Sequence, residues 1–106
     1  MRWIVEFLNE VVEEEFRDLP KDMQARLVRI SELIGEYGVE RVGMPHVRHL
    51  EGKLWEMRAK GRAGISRGIY VTVAGRRVVI LRIFVKKTQQ TPRAEILLAL
   101  ERMKEL

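Results

Sequence analysis

The sequence predicts an α+β domain with the order β-α-α-β-β-β-α, an antiparallel sheet carrying helices packed on one face. Three observations predict it. Apolar residues recur at helical spacing in a long stretch before Gly38 and again near the C-terminus. Between these, residues 54–85 alternate or run apolar at strand spacing. Short glycine-containing turns join those strands, which makes neighbours pair antiparallel. A chain of 106 residues, 46% hydrophobic and 33% charged, suits one domain spanning residues 1–106.

Each element has a local justification. Residues 2–7 form a first strand with Trp3, Val5 and Phe7 on one side. Asn9 caps a short helix that turns Val12 and Phe16 inward and Glu13, Glu14 and Glu15 outward. Pro20 ends that unit. Met23, Leu27, Ile30, Leu33, Ile34 and Tyr37 then make the stripe of a longer helix, closed by Gly38. Residues 39–52 lack periodicity and read as a loop marked by Gly43 and Pro45. Strands follow at 54–58, 67–73 and 78–85, with turns at 60–64 and 74–77. The last strand is almost wholly apolar, as a central strand covered on both faces would be. Thr91 caps a final helix with Pro92 at its first position, and Ile96, Leu97, Leu100 and Met103 form its buried stripe.

Composition excludes several classes. The chain has no cysteine, so a disulfide scaffold, a thiolate metal site and a cysteine nucleophile are all out. No apolar run approaches the ~20 residues of a bilayer crossing, and Met1 to Glu6 lacks a secretory pattern. A cytoplasmic protein without membrane contact is expected. The net charge of +5 is unevenly spread: residues 46–93 hold twelve Lys and Arg against only Glu51 and Glu56. Such a segment repels itself and suits a polyanionic partner, unless the cations merely solvate one sheet face.

Side chains two apart on a strand share a face. Leu54, Glu56 and Arg58 therefore lie together with Trp55 opposite, and Arg82, Phe84 and Lys86 lie together opposite Leu81, Ile83 and Val85. If these polar faces align, Arg58, Arg67, Arg82 and Lys86 converge on Phe84, giving single-stranded RNA cations for its phosphates and a ring for a base. The plainer alternative puts Phe84 in the core. Glu56 is either a general base or one half of a cross-strand pair with Arg67 or Arg82. His46 and His49 lack further ligands, so no metal site is expected. Ser31 and Ser66 have no nucleophile elbow, and the glycines around residue 64 form no phosphate loop.

Three segments carry a resemblance. Met44-Pro45-His46-Val47-Arg48-His49-Leu50-Glu51-Gly52-Lys53-Leu54-Trp55-Glu56-Met57-Arg58 is similar to a segment of phage-derived HigB-like toxins in the RelE/ParE superfamily that reads Pro, a basic residue, Leu, Gly-Leu, an aromatic, Glu, Leu or Met, and Arg in the same order. Arg67-Gly68-Ile69-Tyr70-Val71 resembles the strand that follows, and Phe84-Val85-Lys86-Lys87-Thr88-Gln89-Gln90-Thr91-Pro92 resembles the family's lysine-pair signature. The resemblance implies the toxin of a type II toxin–antitoxin pair. Such a toxin is a metal-independent endoribonuclease that needs no cofactor and cuts mRNA in the ribosomal A site. Its partner would be a helix-turn-helix antitoxin. Arg58, Arg67, Lys86, Lys87 and Glu56 would be catalytic, and Trp55, Arg82, Phe84 and Thr88 would bind RNA. Relatives that use a C-terminal Tyr or His for proton transfer differ here, since neither type follows Tyr70; Glu56 or Lys86 would serve instead. Two alternatives are a ParE-like inhibitor of DNA gyrase without nuclease activity and a basic RNA-binding domain that does not cut.

Overall fold

A computed structural model describes residues 2–43 and 45–106; Met1, and Met44 at the start of the first resembling segment, lie outside the described residues. The elements are β1 (Ile4–Phe7), α1 (Glu10–Arg17), α2 (Lys21–Tyr37), β2 (Val47–Glu51), β3 (Leu54–Gly61), β4 (Gly64–Val73), β5 (Arg77–Lys86) and α3 (Arg93–Met103). They build a five-stranded sheet in the order β1-β5-β4-β3-β2. β1 pairs parallel to β5, and every other pairing is antiparallel.

The predicted α+β order holds, with one strand added. β2 occupies what reads as loop because it is an edge strand with little apolar content. Only Val47 of its five residues is buried, opposite Met57, and its pairing shifts register between His49 and Glu51. An edge strand with one buried anchor leaves no alternation to read. At the β4–β5 turn, Gly75 and Arg76 take φ of +86° and +58°, a left-handed pair in which only the glycine is free of steric cost.

α1 and α2 cover one sheet face as expected, with Val12, Met23, Leu27, Ile30 and Ile34 packed on Met57, Tyr70, Val78, Ile80 and Ile83. α3 seats Ala99, Ile96 and Leu100 against Ile69, Val71, Val79, Leu81 and Phe84, which alternate with the first set and so point the other way. Leu97, predicted in the buried stripe, is exposed, and Ala99 takes its place inside.

A bulge in β5 sets up the charges around α3. Ile69 pairs with Arg82 and Tyr70 with Ile80, so Leu81 is the extra residue. Beyond Ile80 the outer edge of β5 has no strand beside it among the described residues. Arg102 Nη1 donates to the Leu81 carbonyl at 2.9 Å, and the Ile83 amide donates to Glu15 Oε1 at 3.1 Å. Glu15 therefore turns inward, unlike the outward Glu13–Glu15 ridge predicted, and also meets Arg82 at 2.9 Å and Arg102 at 2.8 Å. One carboxylate ties α1, β5 and α3 together.

Burial pushes the Glu15 carboxyl up. The bonds from Arg102 and the Ile83 amide, with the charges of Arg82 and Arg102, outweigh it and hold the group below its ordinary 4.5. Its contribution is thus complete above that ordinary value and is lost as pH falls through the lower folded-state value. Glu15→Gln is expected to cost about 2–3 kcal/mol at neutral pH, less than the roughly 3–5 kcal/mol of a fully buried pair, because Glu95 still faces Arg82. Urea titrations at pH 7 and pH 4 check this, and the variant's stability should fall less on acidification than that of the parent.

Candidate nucleic-acid interface

Strand register brings two of the four predicted cations, Arg58 and Arg67, together. Arg58 on β3 lies opposite Arg67 on β4, which lies opposite Phe84 on β5, so the three form one row across the sheet. Two facing guanidinium groups would repel, and Glu56, two residues from Arg58 on the same face, offsets this. Its Oε1 lies 2.9 Å from Arg58 Nε, and the carboxylate has no solvent exposure. Thr91 Oγ1 donates to Glu56 Oε2 at 2.5 Å. Two expectations change here. Glu56 pairs along its own strand with Arg58 rather than across to Arg67 or Arg82, and Thr91 spends its hydroxyl on Glu56 while Pro92 stands at the helix N-terminus without a side-chain cap.

The chain between β5 and α3 folds over this row as a strap. Arg58 Nη2 donates to the Gln89 carbonyl, while Arg67 donates from Nη2 to the Thr88 carbonyl and from Nη1 to the Gln90 carbonyl at 3.2 Å. Thr88 Oγ1 reinforces the bend by donating to the Gln90 carbonyl at 3.1 Å. Arg67 is completely buried, and its Nε has no hydrogen-bond partner. Burial and the Arg58 charge push its pKa down while Glu56 opposes them, and a guanidinium so placed is still cationic at neutral pH.

Phe84 occupies the core, the plainer of the two options. It is 6% exposed, with the Arg67 and Arg82 guanidinium carbons 5.9 and 5.7 Å from its ring centre. The bulge also puts Leu81 in the same cluster as Phe84 rather than opposite it. Arg82 is engaged by Glu15 and Glu95 and does not join the open site. Trp55 faces the other way, partly exposed and in tilted contact with the His49 ring, centroids 4.9 Å apart. Lys86, Lys87 and Thr88 are exposed where the strap leaves β5. Tyr70, buried on the α2 side, has its hydroxyl pushed up to about 12 and lies away from the row.

The structure also supplies cations that strand reasoning missed. A cavity of about 620 Å³ opens between α2 and the end of β3, walled by Arg26, Arg29, Arg58 and Lys60, with Gln89 of the strap at its margin. Its floor is apolar, from Ile30, Leu33 and Ile65. Arg26 and Arg29 sit in the acidic N-terminal part of the chain, so net charge hid them. Their spacing with Ile30 and Leu33 places all four on one helix face, and that was the available signal. A second cavity, about 410 Å³ beside Trp3, Phe7 and Leu27, is lined mainly by apolar groups and lies away from the arginine row.

The sheet order and its flanking helices are a fold shared with solved RelE structures. The chain is similar to a double arginine-to-alanine mutant of the E. coli toxin RelE in the free state, with TM-score 0.61 and 18% identity over 97% of this chain and 99% of that one. It is similar to a chain of the archaeal RelE–RelB complex from Pyrococcus horikoshii OT3, with TM-score 0.60 and 25% identity over 85% of this chain and 100% of that one. No curated protein sequence matches it. The family described as Phage derived protein Gp49-like matches residues 14–104, and the chain belongs to that family.

Proposed function

We propose that this protein is the toxin of a type II toxin–antitoxin pair and cuts mRNA on translating ribosomes. The observation that carries this proposal is the Arg58–Arg67 pair, its charge partly offset by Glu56, within a RelE-type fold. RNA brings its own nucleophile. In-line attack forms a bond from the 2′-oxygen to phosphorus and breaks the bond to the 5′-oxygen, leaving a 2′,3′-cyclic phosphate and a 5′-hydroxyl. The protein needs to align these atoms and stabilise the charge that builds on the phosphorane.

Arg58 is suited to that charge because it is ion-paired with the buried Glu56 and lines the cavity. Arg67 acts from beneath by fixing the strap, and Lys87 is the exposed cation that meets the scissile phosphate. Glu56, fully enclosed, is a positioning residue. Proton transfer then falls to Lys86, which shares the face of Phe84 at the open end of β5. The archaeal relative's complex with RelB supports a protein antitoxin for this chain as well.

Induced expression in a bacterial host tests the proposal. The expected result is growth arrest with new RNA 5′ ends inside translated frames and none on untranslated transcripts. Intact mRNA accompanied by gyrase-dependent DNA breaks would assign the protein to the ParE-like class instead.

A further inference from the structure

We propose that the cavity between α2 and β3 is a binding pocket for a nucleotide flanking the cleaved bond of single-stranded RNA, a proposal that rests on the RNA-cleaving function above. Its wall and floor call for different parts of one ligand. Arg26, Arg29, Arg58 and Lys60 present four cations, and among the described residues no acidic side chain lines the space. Like charges gathered around a concave surface repel unless an anion joins them. The Ile30, Leu33 and Ile65 floor offers nothing to an anion but suits the flat apolar faces of a base. A nucleotide has both.

The cations are available. Lys60 has no hydrogen bond or ion pair from its side chain among the described residues, and Arg29 meets only Glu32, at 3.9 Å with both side chains mostly exposed. Arg26 reaches the Lys60 carbonyl, which draws α2 to the end of β3 and shapes the rim. Arg58 lies in both the cavity wall and the arginine row, so a strand whose scissile phosphate meets Arg58 has its neighbouring nucleotide at the cavity mouth. This continuity with the arginine row favours RNA over an acidic peptide.

The test is titration of the full chain with a short fluorescein-labelled single-stranded RNA at several salt concentrations, using the parent and Arg26→Ala/Arg29→Ala. Both positions are exposed on a helix that tolerates alanine, so the variant is expected to fold. The expected result is tenfold or weaker binding in the variant, with the slope of log affinity against log salt smaller by about 1.4, or about 0.7 for each phosphate no longer neutralised. An abasic nucleotide moved along the RNA should weaken parent binding about 10-fold or more at one position, the worth of one stacked base. On ribosomes the variant should raise KM and leave kcat unchanged. Unchanged affinity and salt slope, indifference to every abasic position, or tighter binding of an acidic peptide than of RNA would each overturn the pocket. If RNA binds with the expected pattern but is never cut, the pocket stands and the nuclease function falls. If cutting proceeds with an unchanged KM in the variant, the reverse holds.

Discussion

Arg58→Ala is expected to slow mRNA cleavage on translating ribosomes by about 10²–10³-fold, the loss typical of one donor aimed at developing charge. The size of the effect follows from how the side chain is held. An ion pair with Glu56, Oε1 to Nε at 2.9 Å, and the Gln89 carbonyl accepting from Nη2 order the guanidinium before substrate arrives. Arg58→Lys should recover little, because one ammonium cannot meet Glu56, the strap and a phosphate together. Single-turnover cleavage, with folding checked by near-UV circular dichroism, makes the measurement. The loss should fall on kcat, in contrast to the KM effect expected for Arg26 and Arg29. A folded Arg58→Ala protein cutting within about threefold of the parent rate would remove Arg58 from the chemistry.

Glu56→Leu is expected to lower stability by about 3–5 kcal/mol, the cost of removing one partner from a buried ionic cluster. The carboxylate has no solvent exposure, and without it Arg58 and Arg67 face each other across β3 and β4 uncompensated. The strap loses the Thr91 bond as well. For a domain of this size such a loss lowers the melting temperature by more than about 10 °C. Glu56→Gln should fall between, since an amide oxygen still accepts from Thr91 but cancels no charge. Denaturant unfolding measures the difference. A loss under about 1 kcal/mol for the leucine variant would mean that the two arginines do not depend on Glu56.

Much of the fold could be read along the chain because its signals were local. Asn9 caps α1 by accepting from the Val12 amide at 3.2 Å, Gly38 closes α2 at φ +88°, and the turns at 62–63 and 74–76 fall where glycines allow them. What escaped depended on the third dimension. β2 is set by a single valine and its neighbour strand, and the parallel β1–β5 pairing joins elements far apart in sequence. At the site, residue types and strand faces sufficed to gather Glu56, Arg58 and Arg67. They could not show that the strap's carbonyls would engage both arginines, Thr88 and Gln90 on Arg67 and Gln89 on Arg58, because backbone acceptors on a polar loop leave no mark in side-chain pattern. The β5 bulge likewise defeated simple alternation. By adding one residue it put Leu81 beside Phe84, and the adjoining edge drew Glu15 and Arg102 inward.

The most direct measurement of the central claim is the chemistry at the cut ends of mRNA after incubation with the purified protein and translating ribosomes, read by mass spectrometry. Attack by the 2′-hydroxyl predicts a 2′,3′-cyclic phosphate, or the 3′-phosphate it hydrolyses to, on one fragment and a 5′-hydroxyl on the other, with no product when that nucleotide is 2′-deoxy. Fragments ending in a 3′-hydroxyl and a 5′-phosphate, or mRNA that stays whole, would contradict it.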